Sequence, residues 1–92
     1  MIKSFRHKGL KRLFETGDRR GVTANLTDKA RRQLDVLNRA RSASDMSLPG
    51  YRLHQLKGNR SGTWSVTTSG NWRITFRFEG EDAFDVDLED YH

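Results

Sequence analysis

Asn71-Trp72-Arg73-Ile74-Thr75-Phe76-Arg77-Phe78 and Ala83-Phe84-Asp85-Val86-Asp87-Leu88-Glu89-Asp90-Tyr91-His92 both alternate between apolar and polar side chains. Successive side chains of a β-strand point to opposite faces, so each stretch reads as a strand with one apolar and one wet face. Trp72, Ile74, Phe76 and Phe78 share the first apolar face, and Phe84, Val86 and Leu88 share the second. Only Glu79-Gly80-Glu81-Asp82 separates them, so the two arms form a hairpin. For the apolar faces to coincide, even-numbered residues must oppose even-numbered ones. The loop is then centred on Glu81, with Arg77 opposite Asp85, Arg73 opposite Glu89, Trp72 opposite Asp90 and Asn71 opposite Tyr91. Two of these are opposite-charge cross-strand pairs.

Such a hairpin needs a cover for its apolar face, and the sequence upstream supplies one. Thr63–Thr67 reads as a strand with Trp64 and Val66 on one face, and Tyr51–Leu56 as another, joined by the polar turn Lys57-Gly58-Asn59-Arg60-Ser61-Gly62. Pro49-Gly50 marks the turn before them. Ala30, Leu34, Leu37 and Ala40 or Arg41 give a helical stripe from about Asp28 to about Arg41, with Asn25 or Thr27 as its cap. Leu10, Leu13 and Phe14 give a shorter helix from His7 to Glu15, which Gly17 stops, Gly9 weakens and Ser4 could cap. Met1–Phe5 is a plausible edge strand. Helices followed by a run of strands predict an α+β fold: two N-terminal helices packed on one face of a twisted, mainly antiparallel sheet. The opposite face stays open to water.

A chain of 92 residues suits a single domain over 1–92, with one modest core. It has no cysteine, which excludes a disulfide framework and a thiolate metal site. No apolar run reaches the length of a membrane span or a signal peptide, so the expected location is cytoplasmic, away from any membrane. The net charge of +5 is unevenly placed. Residues 1–60 carry 15 Lys/Arg against 5 Asp/Glu, whereas residues 61–92 carry 2 against 7. A basic layer of this kind suits either nucleic-acid binding or a solvated helical surface.

Histidine is the side chain best placed to exchange protons near neutral pH, and only His7, His54 and His92 occur. No HxH, HxxxH or HExxH spacing is present, so no metal site is expected. Taken singly, the polar residues have ordinary readings. His54 is a strand histidine and Lys57 a turn lysine. Asp90 and Tyr91 close a sheet edge, and Asn71 and Arg73 serve a turn and an ion pair.

Taken together, they resemble the HigB family of ribosome-dependent mRNA interferases, within the RelE/ParE toxin superfamily. The resemblance runs over the whole chain. Its markers are Met-Ile-Lys-Ser-Phe at 1–5, Leu-His-Gln-Leu-Lys-Gly-Asn-Arg at 53–60, Trp-Ser-Val at 64–66, Asn-Trp-Arg-Ile-Thr-Phe at 71–76 and Asp-Tyr-His at 90–92. Gln55 departs from the pattern, since many relatives have proline there. The resemblance implies a RelE-like fold and cleavage of mRNA in the ribosomal A site without a metal or other cofactor. The ribose 2′-OH would attack the adjacent phosphate. It implies His54 and His92 as acid and base in an unassigned order, with Lys57 and Arg73 beside the phosphate. Asp90 would orient His92, Tyr91 would meet a base, and Asn71 would hold the RNA backbone. It also implies a HigA-type helix-turn-helix antitoxin, with operator DNA bound only through the toxin–antitoxin complex.

Two expectations follow. Strict alternation puts Asp90 and His92 on the core face and Tyr91 on the wet face. A site using all three requires the strand to end, bulge or twist near Glu89. The same fold also admits a ParE-like inhibitor that acts by binding DNA gyrase, or a basic nucleic-acid-binding module without activity, because fold alone does not decide function.

Overall fold

The computed structural model describes residues 1–90. Helices α1 (Lys8–Thr16) and α2 (Ala24–Arg39) precede a short 3-10 turn at Ala43–Met46. Strand β1 (His54–Gln55), a second 3-10 turn (Gly58–Arg60), and strands β2 (Trp64–Ser69), β3 (Trp72–Glu79) and β4 (Asp82–Asp90) complete the order. The strands form one antiparallel sheet in the order β1-β2-β3-β4. Both helices lie against it, giving the α+β arrangement expected from the sequence. Residues 1–6 run parallel to β4, through the bridges Ile2↔Ala83 and Phe5↔Val86, and cover the edge of the sheet.

The core is the meeting of two stripes. Leu10 and Leu13 of α1 and Leu26, Ala30, Leu34 and Leu37 of α2 are fully buried against Val66, Ile74, Phe76 and Val86. A nine-residue helix such as α1 is not stable alone in water, so the burial of Leu10 and Leu13 is what holds it. One polar clamp fixes α2 to the sheet. The buried Gln33 side chain donates to the Thr67 carbonyl at 2.8 Å and accepts from the Thr68 hydroxyl at 2.8 Å.

The hairpin differs from its expected form in one place. Its loop is Gly80-Glu81, centred on a bond, with Glu79 paired to Asp82. That register would turn the apolar face of β4 outward. A bulge at Asp85 restores it, so that Thr75↔Asp87, Ile74↔Leu88, Arg73↔Glu89 and Trp72↔Asp90 pair as the alternation requires. Asp85 adopts a left-handed φ of 56°, which Asp tolerates better than most residues. Its N–H donates to Ser4 Oγ at 2.8 Å. The consequence is that Phe84 leaves the core face and Ala83 takes its place, fully buried. The Arg77–Asp85 pair forms even so, Nε to Oδ2 at 2.9 Å.

Other boundaries also moved. Ser4 serves the bulge, and α1 is capped instead by His7, whose Nδ1 accepts from the Leu10 N–H at 3.0 Å. Helix α2 starts at Ala24, a turn earlier than expected, and Thr27 lies buried inside it, its hydroxyl bonded back to the Thr23 carbonyl at 3.1 Å. The strand expected over Tyr51–Leu56 shrinks to His54–Gln55, and Arg52 just before it takes a left-handed φ of 51°. The break expected near Glu89 is not found up to Asp90, since pairing is regular from Thr75↔Asp87 to Trp72↔Asp90. Tyr91 and His92 lie outside the described residues.

Candidate active site on the open sheet face

Cross-strand partners share a face, so the register lays out the open side in rows. One row is His54, Ser65, Thr75 and Asp87; the next is Thr67, Arg73 and Glu89. His54 is exposed on β1. Arg73 is half-buried on β3 and donates from Nη1 to Ser65 Oγ at 3.4 Å. A cavity of about 330 Å³ opens between them, lined by Arg52, Leu53, His54, Leu56, Ser65 and Arg73. Histidine, a hydroxyl and two guanidinium groups therefore meet around a space with no carboxylate among the described residues of its lining. That composition suits a phosphate-bearing ligand.

Lys57 joins from the side. The strand stops at Gln55 and the chain turns through Gly58–Arg60, so Lys57 is freed from strand alternation. It shares a cavity of about 310 Å³ with His54, Leu56 and Arg60. Gly58 takes a φ of 70° with open space around it, the left-handed step that makes this turn. Asn71 and Asp90 stand apart from both cavities. Asn71 is exposed in the Gly70-Asn71 loop between β2 and β3, two residues before Arg73, and Asp90 is exposed at the end of β4 beside the Arg73–Glu89 pair.

The family-model comparison, spanning residues 3–92, matches the HigB-like toxins, described as RelE-like toxins of the type II toxin–antitoxin system HigB. This chain belongs to the HigB-like toxin family. Among its relatives, Endoribonuclease HigB of Proteus vulgaris is 48% identical over the full length of both chains. Toxin HigB-1 of Vibrio cholerae serotype O1 is 29% identical over 80 residues, covering 85% of this chain and 84% of the relative. A type II HigB-like toxin works opposite an antitoxin partner. Among the described residues no helix is long and apolar enough to cross a membrane.

Within this HigB-like chain, a charged clasp holds the Lys57 turn to the end of β4. Arg60 grips Glu89 in a bidentate pair, Nη1 to Oε1 at 2.9 Å and Nη2 to Oε2 at 2.6 Å. The Thr75 hydroxyl donates to the same carboxylate at 2.7 Å. The Arg60 hydrogen bonds, and after them the Thr75 bond, hold Glu89 below the ordinary carboxylate range although burial pushes the other way. Arg77 holds Asp85 down in the same manner. The sequence reading assigned Glu89 to Arg73, because their Cα atoms are opposite. It missed Arg60, because a 3-10 turn can aim a side chain along directions that strand alternation does not describe.

A carboxylate with a lowered folded pKa adds stability above its unfolded value, near 4.3 for Glu, and that stability is lost as pH falls through the folded value. Glu89→Gln should therefore remove about 1–2 kcal/mol at neutral pH. It should also flatten the loss of stability below about pH 4, because the variant has no proton to gain there. Urea unfolding of both proteins at a series of pH values measures this. Parallel acid limbs would show that the pair contributes nothing.

The basic residues of the helical layer divide into two groups. Arg19 pairs with Asp28 at 2.9 Å and Arg20 with Asp18 at 3.0 Å, so part of that charge is neutralised locally. Lys8, Lys11, Arg31, Arg32 and Arg39 are exposed along α1 and α2. Arg52 and Ser65 were not among the residues singled out by the sequence reading. Arg52 stands two residues before His54, and Ser65 lies opposite His54 on the neighbouring strand.

Proposed function

We propose that this chain is the toxin of a type II toxin–antitoxin pair and a ribosome-dependent endoribonuclease that cuts mRNA in the ribosomal A site. The observation that carries the reading is the joint cavity of His54, Ser65 and Arg73, with Lys57 at its border. Full-length similarity to a protein named Endoribonuclease HigB supports it.

In this reading a base takes the proton from the ribose 2′-OH, and the 2′-oxygen attacks the adjacent phosphorus. The bond to the 5′-oxygen breaks, and an acid gives that oxygen a proton. The products are a 2′,3′-cyclic phosphate and a 5′-OH. His54 and His92 serve as the acid–base pair. Lys57 and Arg73 hold the charge that builds on the phosphoryl oxygens. Asp90 orients the His92 imidazole and favours its charged form. Tyr91 stacks on or hydrogen-bonds to a base, and Asn71 holds the RNA backbone. The exposed cations of α1 and α2 face ribosomal RNA. The protein acts in the cytoplasm. Its partner is a HigA-type helix-turn-helix antitoxin, through which the complex binds operator DNA.

Mapping transcript 5′ ends after expression tests the proposal. New ends should appear inside translated codons and vanish when the same message carries no ribosome-binding site. Intact transcripts accompanied by DNA breaks would instead favour gyrase inhibition.

A further inference from the structure

Three cavities lie around the His54–Arg73 cavity, and their linings differ in charge. On one side, across the sheet, lies a groove of about 320 Å³ whose lining includes Asp85, Asp87 and Glu89. Its three carboxylates balance Arg6, Arg60 and Arg77, so the groove has no net positive charge to attract a polyanion. The small cavity shared by His54, Lys57 and Arg60 lies at the border of the site itself. Another route passes Arg52 into a cavity of about 510 Å³, lined by Asn25, Lys29, Gly50, Arg52 and Thr67–Gly70, again with no carboxylate among the described residues.

Arg52 borders both of these cavities. Its backbone stands at φ 51°, a conformation that only glycine adopts without strain and that Arg rarely takes. The neighbouring hydrogen bonds keep it there. The Tyr51 carbonyl accepts from the Thr67 N–H at 2.7 Å, the Tyr51 N–H donates to the Leu48 carbonyl at 3.0 Å, and His54 pairs with Ser65. The Arg52 side chain is exposed and has no hydrogen bond or ion pair among the described residues. An arginine in a glycine conformation carries strain that its guanidinium offsets with no hydrogen bond or ion pair among the described residues. Strain of this kind gathers at binding sites.

We infer that Arg52 binds an RNA phosphate next to the scissile one, and that the strand leaves the site over Arg52 toward Lys29 at the start of α2, away from Asp85, Asp87 and Glu89. The inference rests on the endoribonuclease reading and adds to it a direction for the substrate. Arg73, Arg52 and Lys29 then form a line of cations along two adjoining cavities, matched to a run of phosphates.

The test compares Arg52→Gly, Arg52→Ala and Arg52→Lys in single-turnover cleavage on mRNA-programmed ribosomes, together with thermal unfolding. Arg52→Gly should unfold several degrees above Arg52→Ala, because glycine relieves the strain. Both should cleave about tenfold more slowly than wild type at moderate salt, and their rates should depend less steeply on salt. Arg52→Lys should keep most of the rate, since a phosphate accepts a point charge. A Gly variant at least as stable as wild type yet slower than it excludes misfolding as the cause. Wild-type cleavage matched by both Arg52→Gly and Arg52→Ala would overturn this inference alone. No cleavage by the wild type would overturn it together with the endoribonuclease reading.

Discussion

Changing His54 to alanine is expected to slow message cleavage by about 10²–10⁴-fold, the usual contribution of a positioned acid or base, and to leave the fold intact. The structural half of that expectation follows from where the residue sits. His54 is exposed on a two-residue edge strand, and its strand pairing to Ser65 is made by backbone atoms that alanine keeps. Its ring makes no hydrogen bond or ion pair among the described residues, so the change should shift stability by no more than about 0.5 kcal/mol. His92→Gln should lose cleavage to a similar degree. If the two imidazoles act in one proton-transfer sequence, the double variant will be little slower than the slower single one, since parts of one catalytic unit are not additive. Single-turnover rates on programmed ribosomes, beside urea unfolding curves, separate chemistry from folding. A His54→Ala protein that cuts at the wild-type rate removes His54 from the mechanism, whatever it shares a cavity with.

The hairpin was legible because its apolar residues are large and its period is 2. Ile74, Phe76, Val86 and Leu88 occupy the core as alternation demands. What alternation could not show was the single extra residue in β4. A bulge changes no composition; it needs only one residue that accepts a left-handed backbone and a partner for the displaced N–H. Asp85 and Ser4 meet these needs from opposite ends of the chain, and nothing local in the sequence connects them. Phe84 was misplaced for that reason, even though the register on the far side of the bulge was right.

The site was legible to a different depth. His54, Lys57 and Arg73 stood out by residue type and family pattern, and the structure sets His54 beside each of the other two in adjoining cavities. Arg52 did not stand out, because its significance lies in a φ angle that sequence periodicity reports as an ordinary strand. Arg60 did not either, because it looked like one of many cations in a polar turn. Its bidentate grip on Glu89 becomes visible only when the turn is folded against β4. Charge counts along the chain find a basic layer, but they cannot say which guanidinium groups are occupied by carboxylates and which stand ready for phosphate.

Gly9→Ala should destabilise the protein by about 2–4 kcal/mol, at the upper end of what overpacking costs, although helix propensity alone favours alanine by about 1 kcal/mol. The competition is settled by a backbone crossing. Gly9 is buried in the first turn of α1, and a Cβ there would lie 2.2 Å from the Gly21 carbonyl oxygen and 2.6 Å from its carbon. A Cβ on Gly21 would meet the Gly9 Cα at 2.6 Å. Both neighbours are main chain, so no rotamer change relieves the clash, and α1 would have to lift from the loop that leads into α2. That loop carries Asp18, held at about 2 chiefly by hydrogen bonds from the Arg20 side chain and backbone, with the Arg20 and Arg12 charges adding to them. Arg19 and Arg20 are set in place by the same approach. Losing about 3 kcal/mol lowers the melting temperature of a domain this size by roughly 12–24 °C. Lys8→Ala, an exposed change one residue away, should move it little. Gly21→Ala should reproduce the Gly9 effect, and combining the two should cost less than their sum, because a chain already displaced at one side of the crossing has made room for the other. Thermal melts of the wild type and the four variants decide the matter. A Gly9→Ala variant as stable as wild type would mean that the two segments separate at little cost, and that the position of the Arg19–Arg20 loop is not fixed by this contact.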